Sequence, residues 1–304
     1  MTPRYVIITP AHNEEAFIEK TIGSMVAQTV LPMKWVVVND GSTDRTGQIV
    51  EGWAKRHGFI QLVYLRRDEG RNFARKALAF DAGFKEIRNL PFDFIGNVDA
   101  DMSFAPEYFG NILKDFESDL KLGISGGIVY TKFTDKFVSY DTTPDSVGGK
   151  VQLFRRECFE SVGGYLPLKD GGIDTAAEIM ARMNGWKVRK SFENKTFEHR
   201  PTSFTWGTPL KAKMREGSHF HSLGYDPVFY LLRCIYRLKE YPFFLGSAAA
   251  LFGYVKNMVR QRPIVLPAEV VKFLRAEQRA KLSKALRFYL AGPDSCSNPS
   301  VGAK

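Results

Sequence analysis

The residues able to do chemistry in this chain gather where apolar runs end. "FDFIGNVDADMSF" (92–104) closes in Asp99-Ala100-Asp101, two carboxylates one residue apart where a buried strand emerges. If the strand persists, both side chains share a face; if it curls into a loop, they converge on one point. Close like charges are costly without a cation. Mg2+ or Mn2+ is typically held by one or two carboxylates, with substrate phosphates completing the octahedron, although Asp-X-Asp alone is also a common surface turn. A second cluster, "VVVNDGSTDRT" (36–46), sets Asp40 at a strand exit, then Gly41 for a tight turn and Ser42 or Thr43 as a helix cap. Asp40 is either a turn former or an acceptor for the imide N–H of uracil or thymine, or for the N–H groups of guanine. The first turn, "TPAHNEE" (9–15), lacks the glycines that seat a pyrophosphate on a helix N-terminus. Glu14 and Glu15 there would repel phosphate, so a bound nucleotide would turn its base or ribose to this loop; otherwise the glutamates only compensate a helix dipole.

Alternating elements must position these clusters. "YVIITP" (5–10), "KWVVVN" (34–39), "IQLVYL" (60–65) and "FDFIGNV" (92–98) read as buried strands. Between them, Ile18, Ile22, Met25 and Val26 repeat at helical spacing. Ser42-Thr43-Asp44 can cap a helix running to about His57, and further helices are expected over Asn72–Ile87 and Pro106–Leu120. Strand and helix in alternation imply parallel pairing through right-handed crossovers, with ligands at the carboxyl ends of the strands.

The 304 residues suffice for one large α/β domain and an appendage, or for two ordinary domains. Cys158, Cys234 and Cys296 lie far apart, which argues against a disulfide framework or structural zinc and fits a reducing, cytoplasmic setting. The opening "MTPRYVIITPAHNEE" reads as a first strand rather than a signal peptide. Residues 205–304 hold 16 Lys+Arg against 6 Asp+Glu and so carry the whole net charge of +10. A neutral body with a basic appendage suggests a domain followed by an element that meets something anionic.

"TPAHNEE", "VVVNDGSTDRT" and "VDADM", in this order, resemble the family-2 glycosyltransferases of GT-A fold. "KALAFDAG" (76–83) is similar to the family's GKxxALNxG segment, with Asp81 where the family usually has Asn. "GGKVQLFRRECFESVGGY" (148–165) resembles the segment that shapes the acceptor side, through Gly148, Gly149, Gln152 and Gly164. "GGIDTAAEIMARMNGWKV" (171–188) is similar to EDxxLxxRxxxxG, with Ile173 for the Glu and the Asp kept as Asp174. The resemblance covers about residues 3–200. It implies a Rossmann-like, doubly wound, mostly parallel sheet, and an inverting enzyme that uses UDP-, dTDP- or GDP-linked sugars with Mg2+ or Mn2+. It further implies that Thr9, Pro10, Asn13 and Glu14 line the base and ribose, that Asp40, Gly41 and Ser42 meet the base side, and that Arg71 or Lys76 reaches the diphosphate or ribose. Asp99, Ala100 and Asp101 would sit at the ribose and metal, with Asp101 a direct ligand and His199 of "FEHRP" a further one.

Displacement at the anomeric carbon needs charge stabilisation for the leaving diphosphate and a positioned base for the attacking hydroxyl. Asp174 is the candidate base, and its plain alternative is a helix N-cap. Inversion needs no enzymatic nucleophile. The expected organisation is a GT-A catalytic domain over 1–204, a helical, basic and apolar extension over 205–291, and a flexible tail over 292–304. "YPFFLGSAAALFGYV" (241–255) has fifteen consecutive uncharged residues, short of the ~20 that span a bilayer as a helix. With "VVKFLRAEQRAKLSKALRFYL" (270–290) it suits an interfacial element on anionic lipid; the other reading is a helix buried against the body, or in a homodimer. No nucleic-acid-binding motif is present. The expectation is a peripheral protein on the inner face of the cell membrane, adding sugar to a glycan or lipid-linked acceptor of the cell envelope. The alternative is a membrane-associated scaffold that binds nucleotide-sugar without catalysis, which the loss of acid at Ile173 favours.

Overall fold

The computed structural model describes residues 3–66, 74–133, 136–139, 143–200, 208–240 and 242–291, and the chain forms two compact units, Met1–Gly207 and Thr208–Lys304. Arg71, the first two residues of the helix expected from Asn72, and the tail expected from 292 lie outside the described residues.

The first unit is built on one sheet. Its parallel half is β1 (Tyr5–Ala11), β2 (Lys34–Asp40), β3 (Ile60–Leu65) and β4 (Phe94–Val98), in the order β3-β2-β1-β4. These are the four runs read as strands, and they pair in parallel because a helix follows each of the first three: α1 (Ile18–Val26), α2 (Thr46–Ala54) and α3 (Ala74–Ile87). The period of two puts Tyr5, Ile7, Trp35 and Val37 into one core with Ile18, Ile22 and Val50 of α1 and α2. The opposite face receives α3. Gly83 makes that approach close, since a Cβ there would lie 2.7 Å from Ile8 Cγ2 and 2.9 Å from Val38 Cγ2.

The second half of the sheet is mixed. After β4 come β5 (Met102–Phe104), α4 (Tyr108–Ser118), β6 (Leu122–Phe133), β7 (Lys136–Val138), β8 (Val151–Arg155), α5 (Arg156–Val162), α6 (Ile173–Met183) and β9 (Lys187–Glu198). The order continues β4-β8-β6-β9-β5, with β7 on β6. β8 is antiparallel to both β4 and β6, β5 is antiparallel to β9, and β6 runs parallel to β9. Between β7 and β8 no helix occurs among the described residues, so no crossover forces parallel pairing there. The sequence reading placed four strands; the short β5, β7 and the partners β6, β8 and β9 come from the structure.

The second unit is helical: α7 (Pro209–Ser222), α8 (Pro227–Tyr236), α9 (Phe243–Val259) and α10 (Ala268–Ala291). Thr208 and Asp226 cap α7 and α8, each followed by proline at the first helical position. Among the described residues, no helix is long and apolar enough to cross a membrane.

Candidate active site

The strand does not persist through the Asp99-Ala100-Asp101 segment. β4 stops at Val98, the chain turns, and the backbone N–H of Asp99 donates to Lys150 O at 2.8 Å. The two carboxylates then meet different partners. Asp99 Oδ1 receives Lys76 Nζ at 2.5 Å and Asn97 Nδ2 at 3.1 Å, and Lys150 Nζ lies 3.5 Å from Oδ2. Burial opposes its ionisation, but Lys76 and Lys150 outweigh that and hold the carboxyl below its ordinary range. Asp101 is 6% exposed, and its Oδ1 is buried without a hydrogen-bond partner. Burial pushes this carboxyl up to about 6; Asp99 and Glu198 push the same way, while Lys150 and Arg200 oppose.

Antiparallel pairing of β5 with β9 sets Met102 opposite Glu198 and so carries His199 to Asp101, whose carbonyl accepts the His199 N–H at 2.9 Å. His199 Nε2 is bonded to Ser103 Oγ at 2.8 Å, which leaves Nδ1 as the ring nitrogen for a cation. Burial, then Lys20 and Lys132, lower its pKa, so the ring is neutral at pH 7. The same strand end delivers Glu198 and Arg200. Glu198 Oε1 holds Lys150 Nζ at 2.7 Å, and Arg200 pairs with Glu14 and lies 3.9 Å from Asp101. Among the described residues, four carboxyls (Glu14, Asp99, Asp101, Glu198) therefore face three cations (Lys76, Lys150, Arg200). Glu14 is pushed up to about 7, first by burial and then by Asp101, against Arg200.

No group of three His, Cys, Asp or Glu side chains converges on a metal position among the described residues. The unpartnered Asp101 oxygen and the surplus of carboxyls nevertheless fit a divalent ion that takes most of its remaining ligands from phosphate. No all-protein cage forms among the described residues, and one or two carboxylates completed by phosphate is the arrangement such ions use.

The first two loops are stapled together. Asn13, at φ +54°, donates its N–H to Ser42 Oγ at 3.0 Å and accepts the Thr43 N–H at 2.8 Å; Glu14 N–H donates to Thr46 Oγ1 at 2.7 Å. Of the three residues expected to cap the second helix, Asp44 accepts the N–H of its first residue, Thr46, at 2.9 Å, whereas Ser42 serves the neighbouring loop instead. Thr9 is buried in the sheet, where its hydroxyl accepts from Trp35 Nε1 at 2.9 Å, and Pro10 stands near the end of β1. Gly41, at φ +63°, makes the turn after β2. Asp40 is 4% exposed and accepts from Arg75 on both carboxylate oxygens, a partner that the sequence reading did not include. Ala100 is buried, and its carbonyl accepts the Thr21 hydroxyl at 2.8 Å.

Gly149 joins the two halves of the site. Its carbonyl accepts from Lys76 Nζ and Asn97 Nδ2, both at 2.8 Å, and its N–H donates to Asp174 Oδ2 at 2.9 Å. A Cβ on Gly149 would fall 2.6 Å from that oxygen, so only glycine admits the contact. Asp174 is not the N-cap of α6. Gly172, at φ +77°, holds that position, which an Asp would fill only with strain, and Asp174 lies in the first helical turn, its Oδ1 without a hydrogen bond among the described residues. Gly148 adjoins Gly149 with Val129 at ordinary contact distance. Gln152 is fully buried: it reaches Glu178 at 3.2 Å and accepts the Tyr165 hydroxyl at 2.6 Å, so it supports the site from behind. Gly164, at φ +80°, turns the chain after α5 toward Tyr165. Glu178, one helical turn after Asp174, also accepts the Val147 N–H at 2.6 Å; burial, with the Asp174 charge adding, pushes it up to about 8.

Set against known proteins, residues 6–166 match glycosyl transferase family 2. The chain is 33% identical over 136 residues to the uncharacterized glycosyltransferase EpsJ of Bacillus subtilis (strain 168), a match over 45% of this chain and 37% of EpsJ, and so spans well under half of that relative. Among solved structures, the mannosyltransferase PcManGT from Pyrobaculum calidifontis, in complex with GDP-Man and Mn2+, is similar with a TM-score of 0.56 at 19% identity, over 96% of this chain and 84% of that one. S. aureus TarS 1–349 in complex with UDP-GlcNAc is similar with a TM-score of 0.52 at 14% identity, over 89% and 78%. At such identities the likeness is one of fold, and it bears out the GT-A architecture expected from the ordered motifs. With more than half its length matched, in the segment that holds the strand-end carboxylates, the chain belongs to glycosyl transferase family 2.

Proposed function

We propose that this protein is an inverting, metal-dependent glycosyltransferase that moves a sugar from a nucleotide-diphosphate donor to a hydroxyl of a glycan or lipid-linked acceptor. The observation that carries the reading is the double engagement of Gly149, whose carbonyl shares Lys76 and Asn97 with Asp99 and whose N–H holds Asp174. Donor-side charge and the candidate base are thereby fixed to one backbone unit. Asp174 Oδ1 takes the proton of the attacking hydroxyl, while Oδ2 stays anchored to the Gly149 N–H. Lys76 stabilises the diphosphate as it departs. A divalent cation, Mg2+ or Mn2+, held at Asp101 with Asp99 and His199 beside it, would supply further positive charge to that leaving group. The base of the donor lies along the stapled loops of Asn13, Asp40 and Ser42. The protein works from the inner face of the cell membrane on cell-envelope polysaccharide.

The other reading, a scaffold that binds nucleotide-sugar without turnover, draws on Ile173, which is buried and apolar where the family usually has an acid. A thermal-shift screen of UDP-, dTDP- and GDP-sugars with Mn2+ tests the donor site, because a ligand that binds only the native state raises its melting point. One nucleotide class is expected to give a metal-dependent shift that Asp101→Ala removes. No shift with any nucleotide-sugar would overturn both readings; a shift without release of nucleoside diphosphate, even slowly to water, would favour the scaffold.

A further inference from the structure

Where α7 and α9 of the second unit cross, small residues face inward and large apolar residues of α9 face outward. α7 and α9 cross in backbone contact: a Cβ on Gly217 would lie 1.8 Å from Ala250 O, and one on Gly253 would lie 1.8 Å from Met214 O. Ser218 Oγ donates to Gly253 O at 3.2 Å across the same crossing. Gly217 and Gly253 leave no room for a Cβ, and the buried face of α9 is Gly246, Ser247, Ala250, Gly253 and Tyr254, the last stacked on Tyr230 of α8 at 4.6 Å. The opposite face is left outside. Leu245, Phe252 and Val259, seven residues apart, are 66%, 59% and 73% exposed, and Val228, Leu231 and Ile235 form a second exposed stripe on α8 at i, i+3 and i+7. A helix that buries glycine and exposes phenylalanine is incomplete in water.

The charge decides what completes it. The unit carries 16 Lys+Arg against 6 Asp+Glu within residues 205–304. Lys239 after α8, and Arg260 and Arg262 after α9, are exposed and have no ion-pair partner among the described residues. A second copy on this face would bring two strongly cationic surfaces together, whereas an anionic bilayer offers hydrocarbon to the stripe and phosphate to the cations. α9, with 17 residues, would be only about 25 Å long against a hydrocarbon core of about 30 Å, so it lies in the interface rather than across it.

We infer that the outward stripes of α8 and α9 form a docking face for an anionic lipid surface, with Leu245, Phe252 and Val259 entering the acyl boundary and Lys239, Arg260 and Arg262 meeting the phosphates. This deepens the membrane placement proposed above and rests on it. The test is flotation of the full chain with vesicles of phosphatidylcholine alone or mixed with phosphatidylglycerol. Wild-type protein is expected to float with the mixed vesicles and much less with neutral ones. Leu245→Gln, Phe252→Gln and Val259→Gln together should lower partitioning at least about tenfold at an unchanged melting point, since all three side chains are exposed. Lys239→Glu, Arg260→Glu and Arg262→Glu should abolish the preference for the anionic lipid. Wild-type protein that stays unbound on anionic vesicles would overturn the membrane placement and this face with it. Wild type that floats while the glutamine variant floats equally would overturn the face and leave the placement standing. A dimer seen by light scattering without lipid, and dispersed by the glutamine variant, would assign the face to a second copy and overturn the lipid reading.

Discussion

Glu14 shows how the site is tuned. Its carboxyl is raised to about 7 from an ordinary 4.5, chiefly by burial, so the folded protein keeps its proton where the unfolded chain has lost it. Such a group costs stability progressively as pH rises from about 4.5 to 7, and the cost is fully present above 7. Glu14→Gln is therefore expected to be near neutral for stability at pH 5 and to stabilise the fold by about 1 kcal/mol at pH 8, as read from melting curves at the two pH values. An equal effect at both would show that the charge of Glu14 carries no cost in the fold. Gly149 offers the complementary test. An alanine there presses on Asp174 at 2.6 Å, and moving a positioned base by about 1 Å costs about a hundredfold in rate. Gly149→Ala should lower kcat far more than it raises KM for the donor; a dominant KM effect would assign Gly149 to the donor alone.

At the scale of elements, the corner depends on β8 and β9 delivering cations and acids from far along the chain. Lys150, just before β8, is bonded to Glu198 at the end of β9 and lies beside Asp99 at the end of β4. Despite burial, these carboxylates hold its ammonium above the usual lysine range. Replacing it by methionine leaves Glu198, 3% exposed, without its nearest cation, a loss of about 2 kcal/mol once the partial exposure of the lysine is discounted. Lys150→Met should melt lower, and Mn2+ should recover more of its melting point than it adds to wild type; equal responses to the ion would separate Lys150 from the ion's position. This is also where the sequence stops being readable. The parallel half follows from apolar runs and intervening helical spacing, and Asp40, Asp99 and Asp101 follow as strand-exit acids. Lys150, Glu198 and Arg200 carry no local signal, because antiparallel pairings between β4 and β8 and between β5 and β9 bring them in. Glu178 was missed although its place one helical turn after Asp174 offered a signal, whereas Arg75 meets Asp40 only through the packing of α3 on β2.

Over the whole molecule, the charge division foreseen from composition accompanies a difference in packing: the first unit sets helices on both faces of the parallel half of its sheet, while the second leaves apolar stripes of α8 and α9 exposed. Family membership rests on the first unit, where the matched segment lies. The turnover proposed for it rests on the role assigned to Asp174. The most direct measurement is Asp174→Asn, assayed for calorimetric donor binding with Mn2+ and for release of nucleoside diphosphate. The amide oxygen can still accept from Gly149 but cannot take a proton, so binding within about twofold of wild type and a rate lower by at least about a hundredfold are expected. Transfer by Asp174→Asn at close to the wild-type rate would contradict the assignment of the base, and with it the proposed mechanism.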